Sequence, residues 1–288
     1  MRLDSQCILC LLKRHSETAA KYGDEGQVTA FTRDLMHMIC AGPVEMSAPF
    51  YTPGITKLFT EHFGLSDDRF AEEKEVSNRY ALERFDRLTQ MVRNAADPLY
   101  AGRQGAILGN YIDFSALQGE VSFEKLDEML EKASQMELDL EVYQQFCQEL
   151  TNGKTLLYLT DNAGEICFDR IFAEEIARAY PHLEITFCVR GGPSQNDATR
   201  ADAAAVGIEF PVIDSGCALA GTEISLLGQE ARAAMLGADV ILAKGQGNAE
   251  TLLDCGYNIY YAFLVKCQRF VQRFGKPMLT PMFVKERT

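Results

Sequence analysis

The sequence predicts an α/β protein, a mainly parallel sheet flanked by helices in three layers, with an all-helical N-terminal region. Three observations carry this expectation. From residue 154 onward, short apolar runs alternate with helical stretches of roughly 10–15 residues, the layout of βαβ units. Before residue 150 apolar residues recur at helical spacing, and nothing alternates as a strand. Polar and glycine-rich sequence comes after the apolar runs, where open parallel sheets bind their ligands. The expected division is a helical region over 1–150 and an α/β metal-binding catalytic core over 151–288.

In the first half, Cys7, Leu11, Leu12 and His15 share a helical face. The spacing of Val76, Tyr80, Phe85, Leu88 and Val92, with Leu82 on an adjacent face, predicts one helix from Phe70 to Ala96. Asp97-Pro98 ends it. Further helices are expected over 99–112 and from Ser122 to about Met136. In the second half, strands are predicted at 155–160, 184–190, 208–214, 238–244 and 259–265, with a weaker one at 277–284. Helices are expected over 166–180, 199–206 and 222–236, in a short stretch after Asn248, and up to Phe274.

Composition narrows the function. The 288 residues are 47% hydrophobic and 24% charged, ordinary for a globular chain. The net charge is −13. Residues 1–150 hold fifteen Lys/Arg against twenty-five Asp/Glu, and residues 151–288 thirteen against sixteen. So acidic a surface repels phosphate backbones, and no basic run marks an anionic membrane, which argues against nucleic-acid and membrane partners. A phosphorylated small molecule stays open, because a bound cation reverses the local field. The nine cysteines are odd in number and mostly scattered, which fits buried thiols in a reducing compartment. The apolar run CILCLL is too short for a signal peptide, and no stretch approaches a membrane span, so a cytoplasmic protein is expected.

Asp161-Asn162-Ala163-Gly164-Glu165 comes directly after the first predicted strand, and Arg190 to Asp197 after the second. Asp161, Asn162 and Asp197 supply two carboxylates and an amide oxygen, a set suited to Mg²⁺ or Mn²⁺, with Co²⁺ or Ni²⁺ also compatible. Three protein ligands leave positions open for water and substrate. Helix capping and a turn are the bland readings of the same residues. Ala163-Gly164 lets the backbone approach an anion at a helix start. Glu165 reads equally as a residue supporting the ligands or as a first-turn acid. Lys244 and Lys266 each end an apolar strand in a chain with only eleven lysines, and are candidate phosphate contacts. The GQGN loop, Gly245 to Asn248, resembles a phosphate cradle but lacks the Walker ending. Cys7-x-x-Cys10 is half a zinc site or a redox motif, with no second pair to complete four ligands. None of the four histidines falls at a strand end, and no GxSxG elbow exists.

Taken together, TDNAGEICFDRIFAEEI, VRGGPSQNDATRADA, KGQGNAETL and LVKC, in that order, resemble the damage-control phosphatase family, long catalogued as domain of unknown function 89 and also called acidic-residue-methyltransferase-like. AILGNYIDF at 106–114 is similar to its GN-x-x-D segment, and CILC to the CxxC of its mostly prokaryotic branch. The resemblance implies an α/β core and metal-dependent hydrolysis of small phosphorylated metabolites, such as sugar phosphates or damaged ones. It implies that Asp161, Asn162 and Asp197 bind the metal, that Asp161, Asp197 and Lys266 carry the chemistry, and that Gln246, Asn248 and Glu250 lie in the substrate loop. Asn110 and Asp113 are expected to approach the site from the helical part, Asn110 toward the substrate. Some members carry Asp and Arg where this chain has Gln246 and Glu250, so the loop does not name a substrate. The family's other name suggests an S-adenosylmethionine-dependent carboxyl methyltransferase, although DNAGE is not a glycine-rich cofactor loop. A non-catalytic protein binding a phosphometabolite or a metal is the third reading.

Overall fold

The computed structural model describes residues 1–43, 45–112, 122–133 and 139–285. Asp113 lies outside these described residues. The chain opens with α1 (Ser5–Ala19), α2 (Glu25–Ala41) and α3 (Thr52–Phe63). Asp4 caps α1 by accepting from the Cys7 backbone N–H at 2.9 Å, and Asp24 builds a capping box with Gln27 on α2. Phe31, Leu35, Ile39, Ile55 and Phe59 give these helices a small core of their own.

Next come α4 (Ala71–Glu83), α5 (Phe85–Arg93), α6 (Pro98–Gly109), α7 (Phe123–Glu131) and α8 (Leu140–Asn152). The single helix expected over 70–96 is therefore two, broken at Arg84. Arg84 lies with its guanidinium 3.8 Å from the Tyr80 ring centroid and donates from Nε and Nη2 to Asp127 on α7, at 3.1 and 3.2 Å. Leu82 lies on α4 two residues past the buried Tyr80, away from that helix's buried face. It is 38% exposed.

The second half alternates strictly: β1 (Thr155–Leu159), α9 (Glu165–Ala179), β2 (Glu184–Val189), α10 (Arg200–Ala205), β3 (Val212–Asp214), α11 (Gln229–Gly237), β4 (Val240–Lys244), α12 (Gly245–Leu252), β5 (Ile259–Leu264), α13 (Gln268–Phe274) and β6 (Pro281–Lys285). The sheet order is β3-β2-β1-β4-β5-β6, parallel except for β6, which pairs antiparallel with β5. The strand expected over 208–214 is confined to its last three residues. Pro211, which has no N–H to give a ladder, only accepts from Phe187 N. The helix expected over 222–236 is a 3-10 turn at Ile224–Leu226 and then α11, because the Gly228 N–H donates to the Ser215 carbonyl in place of a helical partner.

Alternate strand residues feed two cores. Leu156, Tyr158, Phe187, Leu242 and Tyr260 pack on one face with α6, α8 and α9, while Leu157, Leu159, Ile241, Tyr261 and Phe263 pack on the other with α11, α12 and α13. The strands begin at Thr155, just after α8 ends at Asn152. α4 to α8 share the core of the sheet, and only the segment up to Leu65 has a separate one.

A buried ion cluster ties the layers together. Lys244, fully buried at the end of β4, donates from Nζ to Glu165 Oε1 on α9 at 2.7 Å, to Asp169 Oδ1 one turn later at 2.6 Å, and to the Ala106 carbonyl of α6 at 2.8 Å. Glu165 and Asp169 are themselves fully buried. Removing one partner of such a set strands the others in a low dielectric. Lys244→Met should therefore lower stability by roughly 3–5 kcal/mol, read as a fall in the urea midpoint. A midpoint within error of wild type would refute this role.

His15 on α1 gives a second expectation. It is buried against the Phe59 edge at 6.1 Å, and burial, aided by Arg14 and Arg69, pushes its imidazole down to about 3. The unfolded chain takes up this proton below about 6.5, while the folded chain does not until about 3. Stability from neutral His15 is thus complete above pH 6.5 and is lost as the pH falls through that window. Urea titrations should show a shallower decline between pH 6.5 and 5 for His15→Leu than for wild type; equal slopes would rule this out.

Candidate active site

The site forms where the carboxyl ends of β1, β2 and β4 meet. The loops after β1 and β2 are knitted by backbone: Ala198 N donates to the Asp161 carbonyl at 2.7 Å and Ala163 N to the Asn196 carbonyl at 2.9 Å. These bonds fix Asp161 and Asp197 side by side. Two glycines make the approach possible. Gly164, at φ +76°, presents its N–H to Asn78 Oδ1 at 2.7 Å, and a Cβ there would stand 2.7 Å from Ser77 Cβ. Gly245, at φ +79°, passes so close that a Cβ would fall 1.9 Å from Asp161 Oδ2.

Asp161 is 6% exposed. Its Oδ2 accepts from Asn110 Nδ2 at 3.0 Å and Asn162 Nδ2 at 2.8 Å; its Oδ1 faces Arg190 Nη2 at 3.5 Å. Arg190 also donates from Nε to Asp197 Oδ2 at 2.5 Å and from Nη1 to Asn248 Oδ1 at 3.2 Å. One guanidinium, itself 2% exposed, thus bridges both carboxylates. Burial drives the Asp161 carboxyl well above its ordinary range, with Glu165 and Asp197 adding repulsion and Lys266 and Arg190 opposing it. Burial works against the Arg190 charge, but Asp197 and Asp161 outweigh it and hold the guanidinium charged. Glu165 Oε2 accepts from Asn110 Nδ2 at 2.9 Å and from Asn162 Nδ2 at 2.8 Å, so Asn110 and Asn162 each link Glu165 to Asp161.

Asp161, Asn162 and Asp197 open with Gln246, Glu250 and Lys266 onto one cavity of about 710 Å³. Its opposite wall is α1, with Cys7, Cys10 and Arg14, continued by Arg269. Arg14 reaches across to Gln195 Oε1 at 3.1 Å, joining α1 to the loop that carries Asp197. Gln246 Oε1 accepts from the Lys266 N–H at 2.9 Å, and its Nε2 donates to Glu250 at 2.8 Å. Burial pushes the Glu250 carboxyl up.

Three expected substrate contacts sit elsewhere. Lys244 is spent on Glu165, Asp169 and Ala106 behind the carboxylates and does not reach the cavity. A lysine at a strand end points to either face of the sheet, and this one faces α9. Asn110 is fully buried, holds Asp161 and Glu165, and accepts from Leu264 N at 3.0 Å. Asn248, also fully buried, accepts from Arg190 and Thr222 and donates to the Thr160 and Lys244 carbonyls. These side chains position the site and do not line it. Sequence reasoning missed Arg190 and Asp169 and left Glu165 without a firm role. The signal for Arg190 is its place after β2; for the two acids it is their four-residue spacing on one helix.

The donor chemistry fits a hard divalent cation. Asp161, Asn162 and Asp197, two carboxylates and an amide, line the same cavity, and the buried Asn196 Oδ1 has no hydrogen-bond partner among the described residues. Asn162 Oδ1 accepts from Asn196 Nδ2 at 2.9 Å, which holds it beside Asp197. Among the described residues no group of three or more His, Cys, Asp or Glu side chains is arranged to hold a metal by itself. The same residues contain no helix long and apolar enough to cross a membrane.

Comparison with known proteins places the chain in a family. The structure is similar over the full length of both chains to the crystal structure of a DUF89 family protein from Pyrococcus horikoshii, with a TM-score of 0.83 and 27% identity. In sequence, the chain is 36% identical over 175 residues, 60% of each chain, to a damage-control phosphatase of that organism. It is 28% identical over 282 residues, 96% of each chain, to a damage-control phosphatase of Archaeoglobus fulgidus. An uncharacterized protein of Methanocaldococcus jannaschii is 29% identical over 96% of this chain and 92% of its own length. The profile described as the damage-control phosphatase ARMT1-like domain matches residues 3–280, and the chain belongs to that family.

Proposed function

We propose that this chain is a metal-dependent phosphatase that hydrolyses small phosphorylated metabolites. The observation that carries the reading is the pair of buried carboxylates, Asp161 and Asp197, opening with Lys266 onto one cavity at the sheet's ligand edge. The names of the relatives from Pyrococcus and Archaeoglobus support it. Asp161, Asn162 and Asp197 would hold a divalent cation, Mg²⁺ or Mn²⁺ by donor type, with Co²⁺ or Ni²⁺ also served by such oxygens. Such a cation neutralises phosphate charge and lowers the barrier to attack at phosphorus.

The chain's own residues do the rest. Lys266, at the end of β5, offers a fixed positive charge to the equatorial oxygens of the phosphoryl group. Arg190 holds the two carboxylates at a set spacing from behind. Asn110 and Asn162 tie Asp161 to Glu165, so its orientation is set before substrate enters. The cavity, at about 710 Å³, has room for a metabolite well beyond orthophosphate. The acidic surface is consistent with a small substrate in place of a polyanion.

Phosphate release from an aryl phosphate should require added divalent metal. It should fall to background in Asp161→Ala and drop roughly 10²–10³-fold in Lys266→Met, both checked for native circular dichroism. Full activity in Asp161→Ala would reject the assignment; metal binding without release by wild type would favour a binding protein. Calorimetric binding of S-adenosylmethionine would favour the methyltransferase. Asn110→Ala should lower metal affinity or turnover by about 10–100-fold, and a variant matching wild type in both would remove Asn110 from the site.

A further inference from the structure

Three of the nine cysteines, Cys7, Cys10 and Cys267, line the cavity that Asp161, Asp197 and Lys266 also line. The phosphatase reading gives none of them a task. Cys7 and Cys10 are the third and sixth residues of α1, so their side chains are neighbours on one face. Helical geometry sets their Cα atoms about 5 Å apart, within the span a disulfide bridges. Their environments differ. Cys10 is exposed, while Cys7 is half-buried and its Sγ accepts from Arg269 Nη1 at 3.1 Å. Burial, with Glu250 nearby, pushes the Cys7 thiol up to about 11, so it stays protonated toward reagents arriving from solvent. Cys267 is engaged by Gln246 Nε2 at 3.4 Å. An exposed thiol beside a sheltered one that touches a cation is the arrangement of an attacking and a resolving cysteine.

We propose that Cys7 and Cys10 form a thiol–disulfide exchange site for low-molecular-weight disulfides, opening into the same cavity. Cys10 loses its proton to solvent and attacks one sulfur of the small disulfide. The S–S bond breaks, a mixed disulfide forms on Cys10, and the departing thiolate takes a proton from water. Cys7 then gives up its proton beside the Arg269 guanidinium, which stabilises the forming thiolate, and attacks the Cys10 sulfur. The Cys7–Cys10 bond forms, the S–S bond of the mixed disulfide breaks, and the departing thiolate takes up from water the proton that Cys7 released to it, leaving as the second small thiol. The two cysteines lose two electrons, and one disulfide becomes two thiols. In the intermediate, the group on Cys10 stands in the cavity the phosphate ester is proposed to occupy.

The test is disulfide mapping by mass spectrometry after incubating the full chain with oxidised glutathione and alkylating free thiols. It needs no phosphatase activity, so its failure is separate from failure of the catalytic reading. Wild type should end with a Cys7–Cys10 disulfide. Cys7→Ser should stop at a glutathione adduct on Cys10, at an occupancy at least about tenfold above that in wild type. Cys10→Ser should leave Cys7 unmodified. Cys40, the other exposed cysteine, provides the comparison and should retain its adduct in every form. A wild type that keeps glutathione on Cys10 as it does on Cys40, or that pairs either residue with Cys267, would overturn the proposal.

Discussion

Charge buried beneath the carboxyl ends of β1, β2 and β4 constrains everything around it. Asp161, Glu165, Asp169 and Asp197 lie there with Arg190 and Lys244, none more than 6% exposed. An isolated buried charge is too expensive to keep, so each must meet its partners, and those partners come from different elements. Lys244 fixes β4 against α9 and α6; Arg190 fixes the end of β2 against β1 and α12. The strand order arises from hydrophobic burial, but the register of the loops arises from these contacts. A shift of either loop by one residue would strand an ion.

The cavity is built from two separately packed parts of the chain. The sheet supplies Asp161, Asp197 and Lys266, and α1 supplies the facing wall through Cys7, Cys10 and Arg14. α1 belongs to the small core of α1 to α3, which is separate from the two cores of the sheet. The polar chemistry is thereby set on a rigid frame, while the wall a substrate would meet opposite it rests on a smaller body. Changes on α1 can alter what fits without disturbing the ion cluster.

Much of the fold was legible because central parallel strands are buried on both faces and read as unbroken apolar runs, as in TLLYL and IYYAFL. That Asp161, Asn162 and Asp197 would line one cavity was legible for a related reason, since topology puts the loops that follow such runs at the ligand edge. The direction of a side chain leaving that edge was not legible. Lys244 and Lys266 look alike in sequence, yet one turns back to Glu165 and Asp169 and the other toward the cavity. Nor could local pattern reveal that Asn110 and Asn248 would bind protein groups, because their partners lie far along the chain. The break at Arg84 escaped notice because a turn in a helix held by Asp127 leaves the apolar spacing nearly intact.

The balance of buried charge bears on what the site is built to hold. Four buried carboxylates, Asp161, Glu165, Asp169 and Asp197, face three buried cations, Arg190, Lys244 and Lys266, the last of which lines the cavity. The protein alone meets that surplus by raising the affinity of Asp161 and Asp169 for protons, burial being the main cause in each, and Asp169 reaches about 7. The two acids are not equivalent. Asp169 bonds Lys244 and Tyr158 within the core, whereas Asp161 borders the cavity. A proton held at Asp161 is therefore exchangeable for any cation that can enter, and a divalent ion coordinated by Asp161 and Asp197 would relieve the repulsion that the proton relieves otherwise. Arg190 would still hold the pair from behind. On the proposed reading, the cation would enter where burial and the nearness of Glu165 and Asp197 already weigh against a bare Asp161 carboxylate.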